Sequence, residues 1–163
     1  MSPAGVEPRR SDDEARRLID ACRADFRALV TAAPFTGCRY GELAAMRGDD
    51  FNPDAGTLRV RTSKSGKPRH VVLTQEGRDF VAQWAAGKPA SARLFLRAMM
   101  RKSEQQRPFS AACEAARIDP PLSFHGLRHT YASRLAMRGV PIAVIAAQLS
   151  HADARMVEKH YAT

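Results

Sequence analysis

His125, Arg128 and His129 fall within five consecutive positions of the stretch "LSFHGLRHTYASRLAMRG", which runs from Leu122 to Gly139. Histidines at i and i+4 share one face of a helix, and three chemistries fit that face. A zinc pair is the first. Against it, the guanidinium of Arg128 lies between the two imidazoles, and no third Cys, His or carboxylate stands at a familiar ligand spacing. A structural role is the second, with one histidine buried and the other capping. The third is phosphate. Arginine presents a planar fork that matches two phosphate oxygens. Histidine adds a donor and a proton-transfer group near neutral pH. A helix N-terminus favours anions.

The phosphate reading asks for further cations elsewhere. Arg39 stands in "TGCRYGEL", just after Gly37, with Glu42 three residues on and able to orient its guanidinium. A plain surface Arg–Glu pair is the alternative. Lys64 is expected at a hairpin tip, in "TSKSGK", where a flexible ammonium can reach into a DNA groove; a charged turn is the alternative. Near the end, "LSHADARMVEKHY" supplies His151 and Tyr161.

These residues need elements to hold them. Ser11-Asp12-Asp13-Glu14 reads as a capping box that opens a helix with Ala15, Leu18, Ile19 and Cys22 on one face. Residues 1–10 read as a flexible lead. An apolar helix is expected from Phe26 to about Phe35, and another over "RYGELAAM" ending at Gly48. The period then changes to two. "GTLRVRTSKSGKPRHVVLT" alternates through Leu58, Val60 and Thr62, turns at Ser65-Gly66 and returns through Arg69, Val71 and Leu73, which predicts a β-hairpin. Further helices are expected over Gln75–Ala86 with Thr74 as cap, about Ser103–Arg117, Gly126–Arg138, Pro141–Leu149 and a short one near Arg155–His160. The fold class is mainly α with a small antiparallel β-sheet.

Composition narrows the partners. The 163 residues carry 26 Lys and Arg against 17 Asp and Glu, a formal charge of +9. A field of that sign favours polyanions. No run approaches the ~20 apolar residues of a membrane helix, and the polar N-terminus does not resemble a secretory signal. Cys22, Cys38 and Cys113 are odd in number with no CxxC spacing, which speaks against a disulfide framework and for a reducing, cytoplasmic setting.

Taken together, the motifs resemble the tyrosine recombinase (phage integrase) family, over nearly the whole chain. Thr36-Gly37-Cys38-Arg39-Tyr40-Gly41-Glu42 matches the family's T-G-x-R-x-G-E. His125 to Ser133 matches H-x-L-R-H-T-x-A-S without a gap. Leu149-Ser150-His151 stands for L-G-H, with Ser for Gly, and Tyr161 follows ten residues later; Lys64 precedes the R-x-V-x-L of Arg69, Val71 and Leu73. The resemblance implies a catalytic domain over residues 11–163. It implies that Tyr161 attacks a scissile phosphate of double-stranded DNA and forms a 3′-phosphotyrosyl link, with no metal, cofactor or ATP. Arg39 and Arg128 are then expected to clamp the phosphate oxygens, Lys64 to protonate the leaving 5′-oxygen, His125 to take the phenol proton and His151 to donate to the phosphate. Glu42 and His129 are expected behind them as supports.

The resemblance also implies assembly as a tetramer on DNA, with the isolated chain expected as a monomer. The family's N-terminal DNA-clamping domain is expected to be absent, and Thr163 follows Tyr161 by two residues where relatives commonly continue. Two other readings fit the same residues. One is a DNA-binding fragment inactive on its own. The other is a type IB topoisomerase, although the spacing around His125 and His151 is of the integrase type.

Overall fold

The computed structural model describes residues 8–61, 67–95 and 105–149. Helix α1 spans Pro8–Ala21, so Ser11 lies within it and the expected capping box at Ser11–Glu14 does not mark its start. Proline at the first helical position has the right φ and lacks only an N–H that no helix could use there. Residues 8–10, read as part of a lead, therefore belong to α1; residues 1–7 lie outside the described residues. Ala15, Leu18 and Cys22 are buried, as their shared face requires.

Helix α2 (Ala24–Thr36) buries Phe26, Leu29, Val30, Ala32 and Ala33. Gly37 ends it in the left-handed region, φ 68°, and donates its N–H to the Ala33 carbonyl at 2.8 Å. A Cβ at Gly37 would lie 2.5 Å from Tyr131 Cδ1 and 2.8 Å from Leu149 Cδ2. Both the backbone angle and the close approach therefore require glycine. Helix α3 (Tyr40–Ala45) follows, then a 3₁₀ turn at Gly48–Asp50.

Strands β1 (Phe51–Asn52), β2 (Thr57–Val60) and β3 (Arg69–Val72) form an antiparallel sheet in that order. The expected hairpin is β2–β3, with Leu58 opposite Val71 and Val60 opposite Arg69. The third strand, β1, was not expected; two residues are too few to show a period. Leu58, Val60 and Val71 face the core while Arg59, His70 and Val72 face solvent. Alternation puts Arg69 on the core side with Val71.

Helix α4 (Gln75–Ala85) is capped as expected, Thr74 Oγ1 accepting from the Gly77 amide at 3.2 Å. Helices α5 (Gln106–Ala115), α6 (Phe124–Met137) and α7 (Ile142–Leu149) complete the described elements. Helix α6 starts two residues earlier than expected because Ser123 caps it, Oγ accepting from the Gly126 amide at 3.0 Å. It packs along α2 and also touches α1 and α7. One core joins Leu18, Phe26, Leu29, Leu43, Leu58, Val71, Val81, Leu127, Tyr131 and Ile145. The helix expected near Arg155–His160 lies outside the described residues. Among the described residues no helix is long and apolar enough to cross a membrane.

Candidate functional site

Arg128 is 3% exposed, an unusual place for a guanidinium. It sits in the first half of α6, on the side that packs against the end of α2. Its Nε donates to the Gly37 carbonyl at 2.6 Å, and its Nη2 donates to the Leu149 carbonyl at 2.9 Å. The first carbonyl ends α2 and the second ends α7. Both are backbone groups that helix ends leave without intrahelical donors. A cation at those two C-termini is also favoured by the helix dipoles. Arg128 therefore holds together the ends of two helices while its plane stays fixed.

Two residues beyond Gly37, Arg39 stands at the start of α3. Glu42 Oε2 accepts the Arg39 amide at 2.8 Å, and Glu42 Oε1 lies 3.5 Å from Arg39 Nη1. The expected orienting contact between Glu42 and Arg39 is thus present, mainly through the backbone. The stronger partner of Glu42 is Arg69, whose Nη1 and Nη2 donate to Oε1 and Oε2 at 2.7 and 2.9 Å. Arg69 Nε donates to the Gln148 carbonyl at 2.9 Å. The side chains of Glu42 and Arg69 are 6% and 11% exposed, whereas that of Arg39 is 24% exposed. Burial alone pushes the Glu42 carboxyl up. Hydrogen bonds from the Arg69 side chain and the Arg39 amide, with the charges of both guanidiniums, override burial and hold it below the usual carboxylate range.

Cys38 lies among these charges. Burial pushes its thiol up to about 11, the Glu42 charge adds to the rise, and Arg69 and Arg128 oppose it. Arg69 through Glu42, and Arg128 through Gly37, bring their charges to the same Gly37–Arg39 corner. The ring of Tyr40 meets that of Phe124 edge-on at 5.6 Å. The residue after Arg39 therefore packs against the residue before His125, and the starts of α3 and α6 converge.

His125 is exposed and His129 half-buried, with their rings edge-to-face at 5.2 Å between centroids. The shared face expected from their spacing is there. Tyr40 and Tyr131 are 4% and 1% exposed. The Tyr131 hydroxyl donates to the Val72 carbonyl at 3.2 Å, and burial raises its pKa. Neither phenol can reach a phosphate outside the core. Lys64, His151 and Tyr161 lie outside the described residues.

Sequence reasoning missed two charged groups. Arg69 was legible in part, since it alternates in register with Val71 and Leu73 and a charge on a core face needs a partner. Asp50 is 4% exposed and accepts from the Arg47 amide at 2.9 Å, Arg61 Nε at 2.6 Å and Arg59 Nε at 3.3 Å. Nothing in "GDDFN" separates Asp50 from Asp49 in advance. Burial raises the Asp50 carboxyl, but these donors and the charge of Arg61 hold it below its ordinary value.

The family model described as "Phage integrase family" matches residues 9–163. The tyrosine recombinase XerA of Saccharolobus solfataricus is 26% identical over 146 residues, covering 89% of this chain and 48% of that protein. The crystal structure of XerA recombinase superimposes with a TM-score of 0.75 at 25% identity, over 100% of this chain and 61% of that one. XerH site-specific recombinase, solved in a pre-cleavage complex with its difH substrate, shares the fold with a TM-score of 0.69 at 19% identity, over 97% of this chain and 50% of that one. The chain spans about half the length of the curated relatives it matches, 48% to 54% of the first three.

Proposed function

We propose, on the premise that this chain belongs to the phage integrase family, that it carries out site-specific recombination of double-stranded DNA as the catalytic domain of a tyrosine recombinase. The observation that carries this reading is the placement of Arg128. A buried arginine tied to the Gly37 and Leu149 carbonyls has a fixed plane and sits beside the Arg39–Glu42–Arg69 network. A guanidinium held in place before substrate arrives, with the backbone of a second arginine fixed nearby by Glu42, suits a phosphate gathering charge in a pentacoordinate transition state.

The steps follow from the residue types. Tyr161 Oη attacks the scissile phosphorus, the bond to the 5′-oxygen breaks, and a 3′-phosphotyrosyl link forms. His125 takes the phenol proton, needed because a free phenol titrates near pH 10. Lys64 gives a proton to the departing 5′-oxygen. Arg39, Arg128 and His151 hold the non-bridging oxygens, with Glu42 and His129 as supports. A 5′-hydroxyl of another strand then attacks the link and releases Tyr161. The phosphodiester energy is kept in the covalent intermediate, so the cycle runs without metal or ATP. Tyr161 fits the nucleophile because the chain has 3 tyrosines and the other two, Tyr40 and Tyr131, are buried. The positive charge of +9 suits a DNA partner, and XerH is a relative solved on its DNA substrate. The protein acts in the cytoplasm, assembling as a tetramer on DNA from chains that are monomeric alone.

Covalent trapping tests the proposal. The chain is incubated with nicked duplexes, without metal or ATP, and resolved under denaturing conditions. A protein–DNA adduct that Tyr161→Phe abolishes, with noncovalent binding kept, supports it. An adduct that survives Tyr161→Phe overturns the assignment of the nucleophile.

A further inference from the structure

Arg69 sits where three elements meet. It leaves β3 on the core side of the sheet, opposite Val60. Two of its nitrogens close a bidentate pair with Glu42, and the third donates to the Gln148 carbonyl. Glu42 in turn holds the Arg39 amide at 2.8 Å, which fixes the first turn of α3 from which Arg39 projects. Gln148 lies in the last turn of α7, and its Oε1 accepts the Val72 amide from β3 at 2.6 Å.

We propose that Arg69 is a positioning residue: one planar fork sets Arg39 through Glu42 and, through Gln148, ties β3 to the last described turn of α7. The inference rests on the recombinase reading and adds to it a residue that touches no substrate. Two features separate this role from direct DNA contact. Its three side-chain nitrogens all carry protein contacts, and it points to the core side of the sheet. The role also needs arginine. A lysine has one ammonium and cannot meet two carboxylate oxygens and a carbonyl in fixed geometry. A buried ion pair contributes little net stability; what this one supplies is fixed geometry.

The test uses the full chain, its Arg69→Lys and Arg69→Gln variants, and a nicked trapping duplex. Single-turnover adduct formation, noncovalent DNA affinity, the thermal midpoint and amide exchange at Arg39 and Val72 are measured. Arg69→Lys is expected to form adduct on the order of a hundredfold more slowly, the scale of a 1 Å misplacement. Its DNA affinity, set by phosphate contacts Arg69 does not make, stays within about threefold. The Arg39 and Val72 amides exchange faster than in the wild type. Adduct formation at the wild-type rate in both variants overturns the proposal. So does a parallel fall in rate and affinity, which would make Arg69 a DNA contact. If Arg69→Gln loses its folding transition, Arg69→Lys decides. A wild-type chain that forms no adduct defeats the recombinase reading alone. The exchange data then still judge Arg69: unchanged protection at both amides refutes the coupling, and lost protection at both upholds it.

Discussion

Arg128 Nε donates to the Gly37 carbonyl at 2.6 Å, a bond between residues 91 positions apart. The same guanidinium reaches the Leu149 carbonyl at 2.9 Å. Arg128→Lys keeps the charge and loses the fork. One ammonium cannot serve both carbonyls, and a buried acceptor left without a donor costs about 1–3 kcal/mol. The denaturant midpoint should fall accordingly. Adduct formation should drop on the order of 10²- to 10³-fold, the usual loss when a transition-state donor is displaced. A variant as stable as the wild type would mean that the two carbonyl bonds contribute nothing.

Gly37→Ala tests the corner itself. Alanine at φ 68° meets both the left-handed penalty and the rings and methyls of Tyr131 and Leu149. The expected destabilisation is on the order of 2–4 kcal/mol, combining the two effects. Calorimetry on the purified variant checks it. A thermal midpoint within error of the wild type would contradict the geometry of this turn.

Glu42 makes stability depend on acid. Its folded pKa lies below the unfolded value, so the unfolded chain binds the proton more readily. The contribution is then fully present above the unfolded pKa and is lost as pH falls through the folded one. Glu42→Gln removes it. Unfolding midpoints of wild type and variant should differ most near neutrality and draw together as the solution is acidified below the ordinary carboxylate range. A constant gap across that range would show that Glu42 does not titrate as described.

The three cysteines predict a chemical footprint. Cys22, Cys38 and Cys113 are 4%, 0% and 1% exposed. Burial pushes the Cys22 and Cys38 thiols up to about 11, and raises that of Cys113 as well. A thiol-specific colour reagent at pH 8 should react slowly with the native chain and take up three equivalents once denaturant is added. Rapid modification of the native protein at Cys38 would place that residue outside the core.

The site was legible where local spacing carries the physics. Arg39 and Glu42 are one helical turn apart, and His125 and His129 share a face by their separation alone; both pairings are present. Thr74 was readable as a cap from its place before an amphipathic run. The partner of Arg69 was not readable, because alternation says that its side chain points inward but not which helix waits there. Burial of Asp50 depends on Arg47, Arg59 and Arg61, two of which lie on or beyond β2 and reach it only after the sheet has formed. At α1 a local rule misled. Ser11 had the right neighbours for a cap, but Pro8 starts the helix earlier. For Arg69 and Asp50 the unread part depends on contacts between separate elements.

The bond from Arg128 to Gly37 has a bearing on the life of the chain before it is complete. Synthesis delivers Arg39 early and Arg128 late, and a contact spanning 91 positions is slow to form in any chain that must first close so long a loop. Until α6 docks on α2, Arg128 is not held at the Gly37 corner. On the proposed chemistry, a partly made or partly folded molecule can adhere to DNA through its charge but cannot cut it. The topology then works as a safety interlock, because cleavage waits for the docking of α6 on α2.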